Sequence, residues 1–214
     1  GTALAKAGAT VTVVEMADRI LPGLPSLAAA PVARRLKDIG IDVKVGTAVT
    51  GDDGSALSLT KDGVEEKLDV DAVIVAVGRR PNTADLGLEV LGVTPRTDGL
   101  LDVGANLLIA PNVAAIGDIT PGPALAHKAS AQAHVAAEVL SGHHASFSPL
   151  AVPAVVFSDP EVAVVGYTEE EATQAGIQAA TAAFPMAASG RARTVNESAG
   201  GSHLVHTPEG TLIG

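Results

Sequence analysis

Cysteine is absent from all 214 residues. Disulfides, thiolate nucleophiles and cysteine-ligated metals are therefore excluded within this chain. Tryptophan is absent too, and Phe147, Phe157, Tyr167 and Phe184 are the only other aromatics. All four lie in the last third, so packing before residue 147 is expected to be aliphatic, with no aromatic platform for a flat ring. No apolar run reaches the ~18 residues of a membrane span, and no signal-peptide pattern opens the chain. Basic residues are outnumbered, giving a net charge of −10. That balance argues against nucleic acid or an anionic membrane as a partner.

What is present is hydrophobic and glycine-rich: 47% apolar residues and 23 glycines. This composition predicts a globular α/β protein. Residues 1–9 read as the back half of a helix, with Gly8 as its C-terminal cap. Thr10 to Glu15 is a β-branched strand ending in an acid. Helix, glycine, strand, acid is the second half of a dinucleotide-binding βαβ unit, whose Gly-rich turn is expected just before residue 1. Pro31 suits the first turn of a helix whose apolar stripe is Val32, Leu36 and Ile39, stopped by Gly40. A strand follows over 41–45, then a hairpin turning at Lys61-Asp62-Gly63. Asp71 to Gly78 is a continuous apolar run, the pattern of a strand buried on both faces of a parallel sheet.

Arg79-Arg80-Pro81-Asn82-Thr83 breaks the chain, and a domain boundary is placed there. A short strand, Val113 to Ile116, ends in Gly117-Asp118. The turn Pro121-Gly122-Pro123 leads into a helix from about Leu125 to Leu140. Ser141 to Pro149 reads as a second linker. Beyond it the style changes to α+β, with strands at 152–157, 162–167, 204–206 and 211–213 and a helix capped by Thr168 and Glu171. The organisation is thus 1–79, 80–146 and 147–214.

Three positions carry chemistry. Glu15 can accept two ribose hydroxyls and would repel a 2′-phosphate, which favours NAD over NADP; an ordinary strand-end acid is the plainer alternative. Gly78 ends the apolar run, where ligands of open α/β sheets bind, and lacks a Cβ that would obstruct them. Asp118 precedes a helix start, whose N–H groups and partial positive charge suit a phosphate or an electron-rich ring edge. Its alternative is a turn-forming Asp. His143-His144 share no face and make a poor metal pair, and no His-Glu-x-x-His pattern occurs.

Four stretches together resemble the dihydrolipoamide dehydrogenases of the flavoprotein pyridine nucleotide-disulfide oxidoreductase family. They are Val11 to Met16, Val77-Gly78-Arg79-Arg80-Pro81-Asn82, Ala115 to Ala129 with Ala126-His127-Lys128-Ala129, and Ser158-Asp159-Pro160-Glu161 through Glu169. The resemblance spans nearly the whole chain. It implies a partial Rossmann-like NAD-binding domain over 1–79, an FAD-contacting segment over 80–146 and an α+β dimerisation domain over 147–214. Carried over by position, Glu15, Val49 and Gly78 would contact NAD. Asp118, Ala124, Leu125, Ala126 and His127 would contact FAD, His127 through its backbone more than its imidazole. Ala114, Leu108 and Gly201-Ser202-His203 depart from the family pattern at packing positions.

The implied activity is oxidation of protein-bound dihydrolipoamide through a cysteine disulfide and FAD, with reduction of NAD. The implied partners are a second copy of the chain and the lipoyl domain of a 2-oxo acid dehydrogenase or glycine-cleavage complex, in the cytoplasm. The cysteine pair, the His–Glu acid–base pair and the Gly-rich NAD loop belong to parts of the family pattern not found in these residues, so no catalytic residue is assigned. Another flavoprotein disulfide reductase, such as mercuric reductase or a soluble transhydrogenase, stays open, as does a non-catalytic binding or dimerisation module.

Overall fold

The computed structural model describes residues 1–214. It divides into two compact units, one made of Gly1–Ile74 with Pro153–Gly214, the other of Val75–Val152.

In the first unit, helix α1 (Thr2–Lys6) leads to strand β1 (Thr12–Glu15). Gly8 turns the chain with φ +96°, as its place after the helix predicts. Helix α2 (Ser26–Asp38) is followed by β2 (Asp42–Val45), which pairs parallel with β1, Glu15 opposite Val45. The end of α2 is a Schellman motif. The N–H of Ile41 donates to the Leu36 carbonyl and that of Gly40 to Lys37. Gly40 takes φ +79°, and the apolar flanks Leu36 and Ile41 are both buried. They join Ile20 and Val32 in an aliphatic core, against which Val11, Val13, Val43, Val45 and Val162 pack.

An antiparallel meander follows: β3 (Ala48–Asp52), β4 (Ala56–Lys61) and β5 (Val64–Asp69). The β4–β5 loop is Asp62-Gly63, both at positive φ, the backbone that two-residue hairpins require. On β4 the buried residues are Ala56, Leu57 and Leu59.

The second unit holds β6 (Leu108–Ala110) and β7 (Val113–Ala114), an antiparallel pair, and helix α3 (Ala126–Leu140). Its core is also aliphatic: Leu88, Leu101 and Ala115, with Val93, Val103, Ile109 and Ile119 around them.

Residues 153–214 add β8 (Ala154–Val156) paired with β9 (Val162–Val164), and helix α4 (Glu169–Gln174). Strand β10 (Ala180–Pro185), helix α5 (Gly190–Thr194) and strand β11 (Gly201–His206) complete the chain. Thr168 and Glu171 form the expected capping box, each side chain accepting from the other's backbone N–H. Strands β10 and β11 pair antiparallel.

Four expectations need correction. Asp71 to Gly78 forms no strand and is exposed throughout, Val77 by 94%. Apolar character alone does not make a strand; a neighbouring ladder must take its N–H and C=O groups, and none pairs with this run. Helix α2 opens at Ser26, not at Pro31, which sits in its sixth position. Pro31 withholds the N–H that would have met the Leu27 carbonyl, and the amphipathic face of Ala29, Val32 and Leu36 outweighs that loss. Val162 to Tyr167 stops as a strand at Val164, and Gly166 bends away at φ +75°. Thr211 to Ile213 contributes only a single bridge, Leu212 to His206.

No helix is long and apolar enough to cross a membrane.

Candidate functional site

The Gly117-Asp118 turn and the start of α3 form one hydrogen-bonded construction. Residues Gly117–Ile119 make a single 3₁₀ turn after β7. Gly117 has φ +74°, and a Cβ there would lie 3.1 Å from the Cβ of Ala129 on α3. Any other residue would need a left-handed backbone and would push Ala129 back by a few tenths of an ångström, so glycine fits this approach. Its N–H donates to Gln132 Oε1 at 2.7 Å. The Gln132 amide in turn donates from Nε2 to Thr120 Oγ1 at 3.3 Å, and the Thr120 hydroxyl donates to the Gly117 carbonyl at 2.8 Å. This closed ring uses both ends of the amide and both functions of the hydroxyl.

Lys128 completes it from below. Its side chain is only 2% exposed, and its Nζ donates to the carbonyls of Pro121 (3.0 Å) and Thr120 (3.2 Å). No carboxylate lies within ion-pair distance of it. Burial pushes the ammonium below its ordinary pKa, while the charge of Asp118 opposes that shift. No buried side-chain nitrogen or oxygen in the chain lacks a partner. A fully satisfied buried network of this kind holds its backbone in one arrangement.

The effect is to present Asp118 outward. Its carboxylate is about half exposed and pairs with Arg79, Nη1 to Oδ2 at 2.9 Å. Arg79 Nη1 also reaches the Ala124 carbonyl at 3.4 Å. Arg79 thus touches both ends of the loop that leads into α3. Helix α3 opens at Leu125, whose extended backbone provides no side-chain cap, and Ala126 and His127 are exposed. A carboxylate acceptor thus stands beside an uncapped helix start. This donor and acceptor set suits a polyhydroxylated chain ending in an electron-rich ring.

Glu15 and Val49 lie in the other unit. Glu15 ends β1 at the carboxyl edge of the parallel pair, and its Oε1 accepts the N–H of Ala17 at 2.8 Å. The second oxygen of the carboxylate takes no hydrogen bond within the chain. The carbonyl of Glu15 accepts the N–H of buried Thr47, which brings the start of β3 alongside; Val49 on β3 is exposed. Gly78 has φ +138°, a conformation for glycine, with open space where a Cβ would stand.

The sequence pattern pointed to Asp118 and the helix start but overlooked the residues that build them. Lys128, Gln132 and Ala136 are the buried residues of α3. Their spacing of four along the helix was the available signal: a lysine and a glutamine on one face with alanine are candidates for a buried polar seam. Arg79 was legible only as part of a motif. His143 and His144 line an open cavity of about 330 Å³ with Asn106, Val139, Ala145 and Ser146, and none of the predicted residues reaches it.

A parallel strand pair closed by an acid, and a glycine-bent turn feeding an uncapped helix, define an α/β protein of the dinucleotide-binding kind. Residues 1–133 match the family of pyridine nucleotide-disulphide oxidoreductases, and residues 152–214 match the dimerisation domain of that family. The chain belongs to the pyridine nucleotide-disulphide oxidoreductase family. It is 45% identical to dihydrolipoyl dehydrogenase of Geobacillus stearothermophilus over 100% of its own length and 47% of that protein's. It is 43% identical to dihydrolipoyl dehydrogenase of Halobacterium salinarum, covering 46% of that sequence. The chain therefore spans about half the length of these curated relatives. Among solved structures, LpdA of Mycobacterium tuberculosis superposes with a TM-score of 0.87 at 25% identity, over 99% of this chain and 47% of that one. The flavoprotein disulfide reductase RclA of Escherichia coli superposes at 0.82 with 28% identity, over 97% of this chain and 48% of that one. Lacking cysteine, these residues do not supply the redox disulfide of such an enzyme.

Proposed function

We propose that these residues are the NAD-binding, flavin-contacting and dimerisation portion of an enzyme that oxidises protein-bound dihydrolipoamide with NAD. The observation that carries the reading is the Gly117–Gln132 construction, which presents Asp118 beside the uncapped start of α3. The 45% identity to a dihydrolipoyl dehydrogenase along the whole chain supports the same substrate.

Asp118 holds hydroxyls of the flavin's ribityl chain, accepting with the carboxylate oxygen that Arg79 leaves open. Ala124, Leu125, Ala126 and His127 receive the ring, and the helix start favours the negative charge that develops on reduction. Bound there, FAD would relay electrons between a disulfide and NAD. Glu15 accepts the adenosine ribose hydroxyls at the carboxyl end of β1, with Val49 as a further NAD contact of the same unit; Gly78 is an NAD contact by its place in the family pattern. The parts are 1–79 for NAD, 80–146 for FAD and 147–214 for pairing with a second copy. The electron donor is the lipoyl domain of a 2-oxo acid dehydrogenase or glycine-cleavage complex.

In the full-length flavoprotein, Asp118→Ala is expected to release FAD on gel filtration, read as the flavin-to-protein absorbance ratio. Full flavin content in that variant would remove Asp118 from the site. Glu15→Ala is expected to raise the Michaelis constant for NAD in dihydrolipoamide-dependent turnover without changing flavin content. An unchanged constant would remove Glu15.

A further inference from the structure

Lys128 is a charged side chain buried without an ion-pair partner, and the reading above gives it no task. A buried ammonium is costly, so a fold keeps one where its charge or its donors are needed. Its three N–H groups meet the Pro121 carbonyl at 3.0 Å, the Thr120 carbonyl at 3.2 Å and, more distantly, Thr120 Oγ1 at 3.5 Å. Those acceptors lie in the loop between Asp118 and Ala124, and Lys128 itself stands in the first turn of α3. One side chain therefore ties the carboxylate-bearing turn to the helix start. A hydrophobic residue of equal length would leave two backbone carbonyls without these donors. Gly122 takes φ +96° where the loop passes beside the ammonium; a Cβ there would stand at ordinary contact distance, 3.7 Å from the Lys128 nitrogen.

We propose that Lys128 is a positioning residue for the flavin: its buried ammonium fixes Asp118 and the start of α3 relative to one another, and its charge favours the reduced, electron-rich flavin over the oxidised one. The inference rests on the flavin reading of Asp118 and Ala124–His127. The loop folded over the ammonium keeps water from it, so its charge acts more strongly than that of a solvated lysine. Burial draws its pKa down, yet the charge of Asp118 acts to keep the ammonium protonated.

The test uses the full-length flavoprotein and three variants: Lys128→Met, Lys128→Gln and Asp118→Ala. Two quantities are read, the dissociation constant for FAD by flavin fluorescence and the two-electron midpoint potential of the bound flavin. Lys128→Met is expected to bind FAD about tenfold more weakly, as for the loss of one charged hydrogen-bond donor. Lys128→Gln keeps an N–H donor and lacks the charge; it is expected to retain FAD better than Lys128→Met while sharing a lowered potential. A merely structural lysine would not move the potential of the flavin that remains bound. An unchanged potential in Lys128→Gln overturns the proposal, including the case where Lys128→Met does not fold. If Lys128→Met and Lys128→Gln both match the parent while Asp118→Ala loses FAD, Lys128 has no such role and the flavin reading stands. If Asp118→Ala also keeps its flavin, both fall together.

Discussion

The Gly117-Asp118 turn with its Gln132 partner and the Asp71–Gly78 run were both singled out by sequence motifs, and the structure treats them in opposite ways. The first is polar and closes on itself: glycine N–H to glutamine, glutamine to threonine, threonine back to glycine, with a lysine beneath. Its partners are at most fifteen residues apart. The second is apolar and exposed, with no ladder partner. Hydrophobicity marks a segment that fits a buried sheet, but only neighbouring strands bury it. A short polar network carries its neighbours with it; a parallel strand depends on segments far away in sequence.

The sharpest way to break this contrast is to substitute alanine at the glycine of each region. Gly117→Ala must adopt a left-handed backbone, about 1–2 kcal/mol for an L-residue, and must crowd the Ala129 methyl at 3.1 Å. A total loss of about 2–4 kcal/mol is expected once overpacking is added. Gly78→Ala also meets an unfavourable φ, yet nothing stands within 4 Å of the added methyl and the exposed segment can relax. Its loss is expected to stay below about 1 kcal/mol. Urea unfolding of both variants beside the parent chain measures the difference. Equal losses would show that the two glycines serve the backbone alone and that packing against α3 contributes nothing.

A smaller effect is expected at Val77. Replacing this 94% exposed valine with aspartate removes no buried contact, so stability should change by no more than about 0.5 kcal/mol. Solubility should rise, because the run already exposes Ile74, Val75 and Val77. A loss well above 1 kcal/mol would mean that the run is buried in solution and that the contrast with Gly117 is wrong.

The same contrast explains what could be read from sequence. Features closed over short distances were legible: the Asp62-Gly63 hairpin, the Gly8 and Gly40 helix ends, the Thr168–Glu171 capping box, and Asp118 before a helix. The aliphatic cores also follow from the lack of early aromatics. Features decided by distant packing were not. The start of α2 depends on Ala29, Val32 and Leu36 finding a core, which carried the helix through Pro31. Strand β3 was missed because Ala48–Asp52 alternates weakly and is defined by its pairing with β4. Lys128 was missed because an isolated lysine normally reads as solvated surface; its spacing with Gln132 and Ala136 marks a face, and the loop that folds over it buries that face. For the same reason the pattern named the exposed residues of the turn and the helix start and not the buried ones beneath them.

The weakest expected effect concerns Asp53, which closes a turn as locally as Gly117 does but at the surface. Its Oδ1 accepts the N–H groups of Ser55 (3.0 Å) and Ala56 (2.8 Å) and the Ser55 hydroxyl (2.9 Å), and Oδ2 faces Lys67 at 3.2 Å. Led by those backbone bonds, these contacts hold its carboxyl well below the ordinary carboxylate value of 3.8. Because the folded pKa is the lower one, the unfolded chain binds more protons at acid pH. The stabilisation is therefore complete above the unfolded value and is lost as the pH falls through it toward the folded one. Asp53→Asn keeps an acceptor for the turn but has no charge to titrate. The urea midpoint of the parent should fall between about pH 5 and pH 2, and that of Asp53→Asn should fall less steeply. The slope should not vanish, since Asp159, held down by hydrogen bonds from Lys6 and Arg35, contributes with the same sign. A slope equal to the parent's would assign the acid loss to Asp159 and the other carboxylates, and would confine the strength of locally closed networks to those that, like the ring around Gly117, are shielded from water.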